Sequence, residues 1–281
     1  MFSIVIPTFN NLKYLELTLN SLKKNSIFNH EIILHINNGD DGTLKFIKNS
    51  NYKYTYSEKN IGLCSSINTA AKKISMQYIM YSHDDMYFCP SWDKYLVDEI
   101  KQLNDNKFYF SGTMIEPYTG HIPFNCGLTI DEFNEKKLLD NFNKIDFYDH
   151  QGSHFAPHVV EKKMWDKVGG FSEEFNPGIT SDPDFNMKLW KEGVRIFKGV
   201  NKCRVYHFSS ITTRKKPGVV QNKGEVTFLK KWGITPKFFK KYYLKSYTIF
   251  DGPLLNPKKN FLFYINLLSC KLRLFYTLIF K

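Results

Sequence analysis

Residues 2–10 read FSIVIPTFN, and the interpretation of the rest of the chain starts from this stretch. A short run rich in β-branched residues that meets a proline predicts a buried strand, and polar residues follow it at once. No basic residues precede the apolar run, so we expect a strand here and not a signal peptide. The fold should therefore begin with a strand that carries polar groups at its carboxyl end.

Three further strands are predicted in the first 85 residues, and helical patterns separate them. The predicted strands are residues 2–6, 31–36, 52–56 and 78–82, and the predicted helices are residues 12–24, 41–48 and 62–74. Leu12, Leu15, Leu19 and Leu22 recur at three- and four-residue spacing and so share one face of the first helix. Strands that alternate with helices predict an α/β fold, with a mostly parallel central sheet flanked by helices.

A polar segment follows each of the four predicted strands. These segments are PTFN at 7–10, NNGDDG at 37–42, EKN at 58–60 and HDD at 83–85. Because the carboxyl ends of parallel strands meet at one edge of a sheet, we expect the segments to form one ligand-binding rim. Ordinary polar loops are the alternative. The first strand is not followed by G-x-G-x-x-G or by P-loop spacing, which argues against those two kinds of nucleotide site.

The charge of the chain is unevenly distributed. Residues 1–211 hold 24 basic and 25 acidic side chains, whereas residues 212–281 hold 15 basic and 2 acidic ones. The basic character therefore belongs to the C-terminal quarter, for which a membrane surface or a lipid-diphosphate acceptor is a better partner than nucleic acid. Five cysteines without C-x-x-C spacing favour a reducing compartment. We expect a cytoplasmic protein, peripheral on the inner face of a membrane.

The chain resembles glycosyltransferase family 2, whose members are inverting enzymes of GT-A fold. Several short segments carry the resemblance, in register over residues 1–210. They are IVIPTFN at 4–10, NNGDDGT at 37–43, NIG at 60–62 with Asn68, HDD at 83–85, GGFSEEF at 169–175 and SDPD at 181–184. We expect a catalytic domain over residues 1–211, with a donor-binding half at about 1–110 and an acceptor and base half at about 111–211. A basic extension is expected over residues 212–281.

The resemblance implies a nucleotide-diphosphate-sugar donor, with a UDP-sugar as the first choice. The implied donor contacts are Pro7, Thr8, Phe9, Asn37, Asn38, Asn60 and Asp84. The family often has an acidic residue where Asn37 or Asn38 stands, and an asparagine can still pair with a base edge through its carbonyl and amide groups. The expected acceptor is a hydroxyl group of a glycan or a lipid-linked molecule, in the synthesis of cell-surface polysaccharide or glycolipid.

A divalent cation, Mn²⁺ or Mg²⁺, is expected to stabilise the departing diphosphate. The family's Asp-x-Asp pattern reads His83-Asp84-Asp85 here, so the metal is assigned to Asp85, and a ribose or a metal-bound water to Asp84. The alternative is that the two aspartates cap the helix that follows them. The resemblance places a second metal ligand at His207, for which a purely structural role is the alternative.

Asp182 is the candidate general base, and Asp184 is the second choice. Displacement at the anomeric carbon requires a carboxylate on the side opposite the leaving group. Pro183 predicts that Asp182 caps a helix, whose dipole would hold the carboxyl pKa low. A cap that serves stability alone is the alternative.

Two features of the basic C-terminal region have alternative interpretations. The cluster Arg214, Lys215 and Lys216 either closes over the diphosphate or forms a solvated loop. Residues 260–281 predict an apolar helix with one narrow polar stripe, formed by Asn266, Ser269, Arg273 and Thr277. Charges in mid-helix favour a helix that lies in a membrane interface over one that spans the membrane. A helix docked on the catalytic domain or on a second subunit is the alternative.

The sequence therefore predicts an inverting, metal-dependent glycosyltransferase. One rival, a sugar nucleotidyltransferase, requires a glycine-rich loop with a basic residue after the first strand, and PTFN has neither. The other rival is a non-catalytic glycan-binding protein of the same fold, which would not need Asp182 or Asp85.

Overall fold

A mixed sheet of ten strands forms the centre of the molecule in the computed structural model, which describes residues 1–208 and 223–280. The strands are β1 (Phe2–Phe9), β2 (Glu31–Asn37), β3 (Lys53–Ser57), β4 (Tyr78–Tyr81), β5 (Met86–Phe88), β6 (Phe108–Glu116), β7 (Ile122–Pro123), β8 (His150–Gln151), β9 (His158–Glu161) and β10 (Ile196–His207). The main order is β3-β2-β1-β4-β9-β6-β10-β5. The first four strands in this order run parallel, and β9 and β5 run antiparallel to their neighbours.

Helices flank the sheet, as the α/β pattern predicts. They are α1 (Leu12–Asn25), α2 (Thr43–Lys48), α3 (Leu63–Ala71), α4 (Trp92–Lys101), α5 (Glu135–Asn141), α6 (Lys162–Val168), α7 (Ser181–Lys191), α8 (Gly224–Trp232), α9 (Pro236–Phe239) and α10 (Phe261–Phe280). Leu15, Leu19 and Leu22 of α1 are fully buried, whereas Leu12 is half-buried. Burial of each such leucine contributes about 1.5–3 kcal/mol, which holds α1 against the sheet.

Strand β1 extends three residues further than the sequence predicts. Pro7, Thr8 and Phe9 continue the strand and pair with β2, so Phe9 lies opposite Asn37. Val5 accepts a hydrogen bond from Ser82 N on the β4 side, and alternation along the strand directs Pro7 to the same side. Because β4 ends at Tyr81, the missing N–H group of Pro7 costs no bond between these strands.

The chain after β4 turns through residues 83–85 into a strand that the sequence did not predict. This strand, β5, pairs antiparallel with β10 and places Met86 opposite His207. Helix α4 begins only at Trp92, with Ser91 as its N-cap. The alternative role of Asp84 and Asp85 as caps of that helix is therefore wrong.

Two of the short segments behind the family resemblance are in contact with each other. Asn68 Nδ2 donates to Phe171 O at 2.8 Å, and Asn68 Oδ1 accepts from Phe171 N at 2.9 Å. Asn176 Oδ1 accepts from Cys64 N at the start of α3. A Cβ atom on Gly62 would lie 2.5 Å from the Asn176 side chain, so glycine is required there. These contacts fix the loop that leads into α7.

The C-terminal helices extend the body of the protein. Phe228 of α8 and Phe238 and Phe239 of α9 join the main hydrophobic core. Helix α10 is long and apolar enough to cross a membrane by length and composition alone, with 20 residues and a mean hydropathy of 1.3, and 17% of its apolar window is buried. Asn266 and Thr277 of the predicted polar stripe lie on the side that contacts the protein.

Candidate active site

Three side chains from two segments, residues 83–85 and the end of β10, converge at the carboxyl edge of the sheet. His83, Asp85 and His207 can each offer one ligand atom within 4.8 Å of the others. Asp85 Oδ1 lies 3.3 Å from His207 Nε2, and His83 Nδ1 lies 3.4 Å from the same nitrogen. The pairing of β5 with β10 explains the approach, because Asp85 precedes the residue that lies opposite His207. The arrangement is a candidate metal centre with two imidazoles and one carboxylate.

Glu116 orients His207 from the other side of the imidazole ring. His207 Nδ1 lies 2.6 Å from Glu116 Oε1, and Glu116 also accepts a hydrogen bond from Thr119 Oγ1. Strand β6 ends at Glu116 next to β10, where Ile115 pairs with Tyr206. A carboxylate on Nδ1 leaves Nε2 free to face a cation, which is the usual arrangement around metal-binding histidines. Sequence reasoning missed Glu116, because no motif marks the end of β6.

The electrostatics of the cluster suit a bound cation. Burial disfavours a charged His207, but Asp85 and Glu116 outweigh it and raise its pKa to about 10. Burial also opposes ionisation of Asp85, yet His207 and His83 lower the pKa of that carboxyl group. The two carboxylates thus hold positive charge at this position when no metal is bound, and a divalent cation could take its place.

His83 was read from the sequence as a departure from the acidic pattern, and the structure places its ring in the cluster. Burial and the neighbouring His207 lower the pKa of His83 to about 4, so its ring is neutral at pH 7. A neutral imidazole has a lone pair for a metal. Where the family has an acidic residue, this chain has His83. A ring nitrogen thus replaces a carboxylate oxygen as the possible metal ligand at this position.

The predicted donor contacts on β1 lie beside this cluster in the sheet. Pro7 and Thr8 are buried, and Phe9 is half-buried at the rim. Thr8 Oγ1 and Asn11 Nδ2 are buried polar atoms without hydrogen-bond partners among the described residues. Buried polar groups in native proteins are normally paired, so orphaned atoms at a rim indicate a place for a ligand or water. Asn11 was not predicted, and its sequence context resembles an ordinary helix start.

The predicted contact between Asn37 and a nucleotide base is not favoured by the geometry. Asn37 Oδ1 accepts from Ile61 N at 3.0 Å and from Ser57 Oγ at 3.1 Å, and Asn37 Nδ2 donates to Ser66 Oγ at 2.9 Å. The amide therefore ties β2, β3 and α3 together and has little capacity left for a ligand. The reason lies in burial, since a buried amide must find its partners inside the protein.

Asn38, Asn60 and Asp84 remain at the accessible rim. Asn38 is half-buried with a φ of 61°, and its Oδ1 accepts from Asp40 N. Asn60 is exposed, and its Oδ1 accepts from Gly62 N, which shapes the turn before α3. Asp84 is half-buried next to the metal cluster. Their roles as donor contacts stay predictions.

Asp182 lies inside the first turn of α7, because Thr180 is the N-cap. The sequence-based expectation that Asp182 is the cap, with a low pKa, is wrong. Burial raises the pKa of its carboxyl group to about 7, and Asp182 Oδ1 is buried without a partner among the described residues. Desolvation outweighs the helix dipole here. A carboxylate of this pKa is suited to accept a proton near pH 7.

The charges of Asp182 and of the candidate metal ligands act on one buried side chain, Tyr81. Burial raises the pKa of the Tyr81 hydroxyl group, and the charges of Asp182, Asp85 and Asp84 add to the increase. The hydroxyl group is thus within electrostatic reach of both the candidate base and the candidate metal ligands. Asp182 and Asp85 therefore act on the same buried hydroxyl group, at the carboxyl end of β4.

Asp184, the second choice as base, is bound by side chains of the neighbouring helix. Its side chain is fully buried, and Asp184 Oδ1 accepts from Trp232 Nε1 at 2.7 Å and lies 3.0 Å from Lys231 Nζ. Lys231 also pairs with Glu174 at 2.8 Å. Asp184 Oδ1 therefore ties α7 to α8, while Asp184 Oδ2 is, like Asp182 Oδ1, buried without a partner among the described residues. The basic cluster at 214–216 lies outside the described residues.

The fold and the site define a class. Solved structures with the same architecture are GT-A glycosyltransferases. Residues 1–349 of S. aureus TarS in complex with UDP are similar with a TM-score of 0.56 and 18% identity, over 73% of this chain and 59% of that one. GalNAc-T7 with UDP, GalNAc and Mn²⁺ is similar with a TM-score of 0.59 and 18% identity, over 85% and 49%. The chain has the GT-A fold.

The sequence itself matches a family model. The model for glycosyl transferase family 2 matches residues 3–157, and the chain belongs to this family. Chondroitin synthase of Escherichia coli is 25% identical over 73% of this chain and 34% of its own length. A glycosyltransferase of Rickettsia bellii is 25% identical over 60% of this chain and 27% of its own length. The chain thus spans about a third or less of the length of these curated relatives.

Proposed function

We propose that this chain is an inverting, metal-dependent glycosyltransferase that transfers a sugar from a UDP-sugar to a hydroxyl group of a glycan or lipid-linked acceptor. Family membership supports glycosyl transfer, and the solved relatives named above bind UDP or UDP with Mn²⁺. One observation carries the proposal. Asp182, whose Oδ1 is buried without a partner among the described residues, and Asp85 of the His83–Asp85–His207 cluster both raise the pKa of the buried Tyr81 hydroxyl group.

Asp85 and His207 are the proposed metal ligands, with His83 as a third. Two imidazoles favour Mn²⁺ over Mg²⁺, because Mg²⁺ prefers oxygen ligands alone. When bound, the cation would neutralise the charge that develops on the departing diphosphate. Glu116 would keep His207 in the tautomer that directs Nε2 to the cation.

Asp182 is the proposed general base. Its carboxylate would accept the proton of the acceptor hydroxyl group while the hydroxyl oxygen bonds to the anomeric carbon. The bond from that carbon to the diphosphate oxygen breaks in the same step, so the configuration inverts. Burial supplies the raised pKa that a base needs near neutral pH.

The proposal is tested by incubating the protein with a panel of UDP-sugars and acceptors in the presence of Mn²⁺, with the anomeric configuration of the product read by NMR. Asp182→Asn should lower turnover by at least about 100-fold, as removal of a general base does, while UDP binding stays within about twofold. Asp184→Asn serves as the comparison, because its partner set is structural. A protein that binds UDP but turns over no donor would be non-catalytic, and the proposed reaction would then be wrong.

The proposed setting is the synthesis of cell-surface polysaccharide or glycolipid at the cytoplasmic face of a membrane. The relative that is named as a chondroitin synthase supports a polysaccharide product. The basic residues of the C-terminal region support a negatively charged surface or acceptor nearby.

A further inference from the structure

One face of the C-terminal helix α10 carries large apolar side chains and no charge. At 100° per residue the members of this face fall within about a third of the helix circumference. They are Phe261, Tyr264, Ile265, Leu268, Leu272, Phe275, Tyr276 and Ile279, each between 44% and 78% exposed. We call them the outward face. A contiguous surface of eight exposed apolar side chains on a folded protein marks an interaction site.

The opposite face of α10 docks on the protein along most of the helix. Phe263 packs edge-on against Phe238 with ring centroids 5.1 Å apart, and Asn266 Nδ2 donates to Tyr242 OH at 2.8 Å. Further along the helix, Arg273 Nη2 lies 3.5 Å from a carboxylate oxygen of Glu225. The helix is thus attached near its first turn and again past its middle. The docked contacts leave the outward face as the side directed to solvent.

These contacts decide how α10 can meet a membrane. A helix of 20 residues is about 30 Å long, enough to span the hydrocarbon core. A spanning orientation would carry Lys271 and Arg273, together with the docked elements, into the hydrocarbon. With the helix parallel to the surface, only the uncharged outward face enters the lipid. Tyr264 and Tyr276 lie at opposite edges of that face, where a phenol can meet the polar head groups.

The charge around the helix favours lipid over a second copy of the chain. Residues 223–280 contain eleven lysines and arginines against two acidic residues. Two copies that met through the outward face would bring these like charges together, at an electrostatic cost. Anionic head groups would neutralise the same charges, each basic residue near the surface adding to the attraction.

We propose that the outward face of α10 inserts into the interface of an anionic lipid bilayer, with the helix parallel to the membrane plane and the catalytic body docked on its other side. This inference deepens the proposed function, since it places the site near a membrane where a lipid-linked acceptor would be found. It does not require the proposed activity, and its failure would leave the proposed transfer reaction intact.

The test is flotation of the full chain with vesicles of phosphatidylcholine alone and with a quarter phosphatidylglycerol. The wild type should float with the anionic vesicles, and binding should fall when salt is raised from about 0.1 to 0.5 M. The double variant Leu268→Glu/Leu272→Glu should lower the partition coefficient by at least about tenfold. The control Ile27→Glu/Tyr118→Glu adds the same charge at exposed apolar side chains elsewhere, and should change binding by less than about twofold.

Thermal stabilisation by UDP with Mn²⁺ is measured on every variant and shows whether the catalytic body is intact. Absence of wild-type flotation, or equal flotation of both double variants, would overturn the proposal. The wild type could instead be a dimer that does not bind vesicles and that Leu268→Glu/Leu272→Glu converts to a monomer. That result would assign the outward face to a second copy of the chain. Resistance of the bound protein to an alkaline carbonate wash would contradict the parallel orientation.

Discussion

Asp85 Oδ1 lies 3.3 Å from His207 Nε2, although one residue follows the fourth strand and the other ends the tenth. The contact depends on β5, whose antiparallel pairing with β10 aligns the two segments. Burial at this point would be costly for either charge alone. Mutual attraction therefore stabilises the pair, and each partner presents one possible ligand atom.

Glu116→Gln should weaken Mn²⁺ binding by about 10–100-fold, because loss of the carboxylate removes the partner that fixes the tautomer of His207. Binding is measured as the Mn²⁺ concentration that gives half-maximal UDP affinity. Thr119→Val is the matched control, since Thr119 contacts Glu116 through its hydroxyl group and not the histidine. An unchanged Mn²⁺ requirement in Glu116→Gln would show that the carboxylate has no orienting role.

Asp182→Asn should stabilise the protein at pH 8 while it lowers turnover by at least about 100-fold. The folded-state pKa of Asp182 is about 7, above the ordinary 3.8, so the folded state binds the proton more tightly than the unfolded chain. Stability from this group is present below the unfolded pKa and is lost as pH rises from about 4 to about 7. The asparagine variant cannot lose stability in this way. Its free energy of unfolding should exceed that of the wild type by a few kcal/mol at most, at about 1.4 kcal/mol per pKa unit.

The stability prediction is checked by urea unfolding at pH 5 and pH 8. The difference between variant and wild type should grow with pH. A variant that is equally stable relative to wild type at both pH values would contradict the raised pKa.

Turnover should rise with pH through an apparent pKa near 7, because Asp182 must be ionised to accept a proton. The measurement is kcat/KM for the donor between pH 5 and pH 9 at saturating Mn²⁺. Cys64→Ala, which removes a buried thiol near Asp182, is expected to leave the inflection within about half a unit. A profile that is flat between pH 6 and pH 8 would assign the base to another group.

Asp184→Asn should lower the free energy of unfolding by about 1–3 kcal/mol, because the buried charged hydrogen bond to Lys231 is lost and Lys231 keeps only Glu174 as an acidic partner. Glu192→Gln breaks the exposed pair with Lys167 and should cost at most about 1 kcal/mol. Both free energies of unfolding are measured with urea. UDP binding is measured for the folded fraction of each variant. Equal costs for the two variants would show that the α7–α8 contact is no stronger than a surface pair.

The N-terminal part of the fold was predictable because hydrophobic periodicity and the ends of the first four strands are local properties. The four N-terminal strands and their shared rim follow from the alternation of apolar runs and helices. Strand β5 was missed because three residues between polar segments give no periodicity. The extension of β1 through Pro7 was missed because proline normally ends a strand, and only the early end of β4 makes it harmless.

Residues of the site were predictable where a motif marked them. The prediction of a residue's role failed where burial decides that role. Asp85 and His207 were named from the resemblance, and they do meet in space. Glu116 has no motif, and its role follows from the register of β6 with β10. The expected low pKa of Asp182 failed because the helix dipole was considered without desolvation.

The central claim is that Asp85 and His207 bind a cation that in turn binds the diphosphate of a nucleotide-sugar donor. The most direct measurement is calorimetric titration of UDP into wild type and Asp85→Asn, each with Mn²⁺ and with EDTA. Mn²⁺ should tighten UDP binding to the wild type by at least about tenfold, or about 1.4 kcal/mol, and should have no such effect on Asp85→Asn. UDP binding that is equally tight with Mn²⁺ and with EDTA in the wild type would contradict the claim.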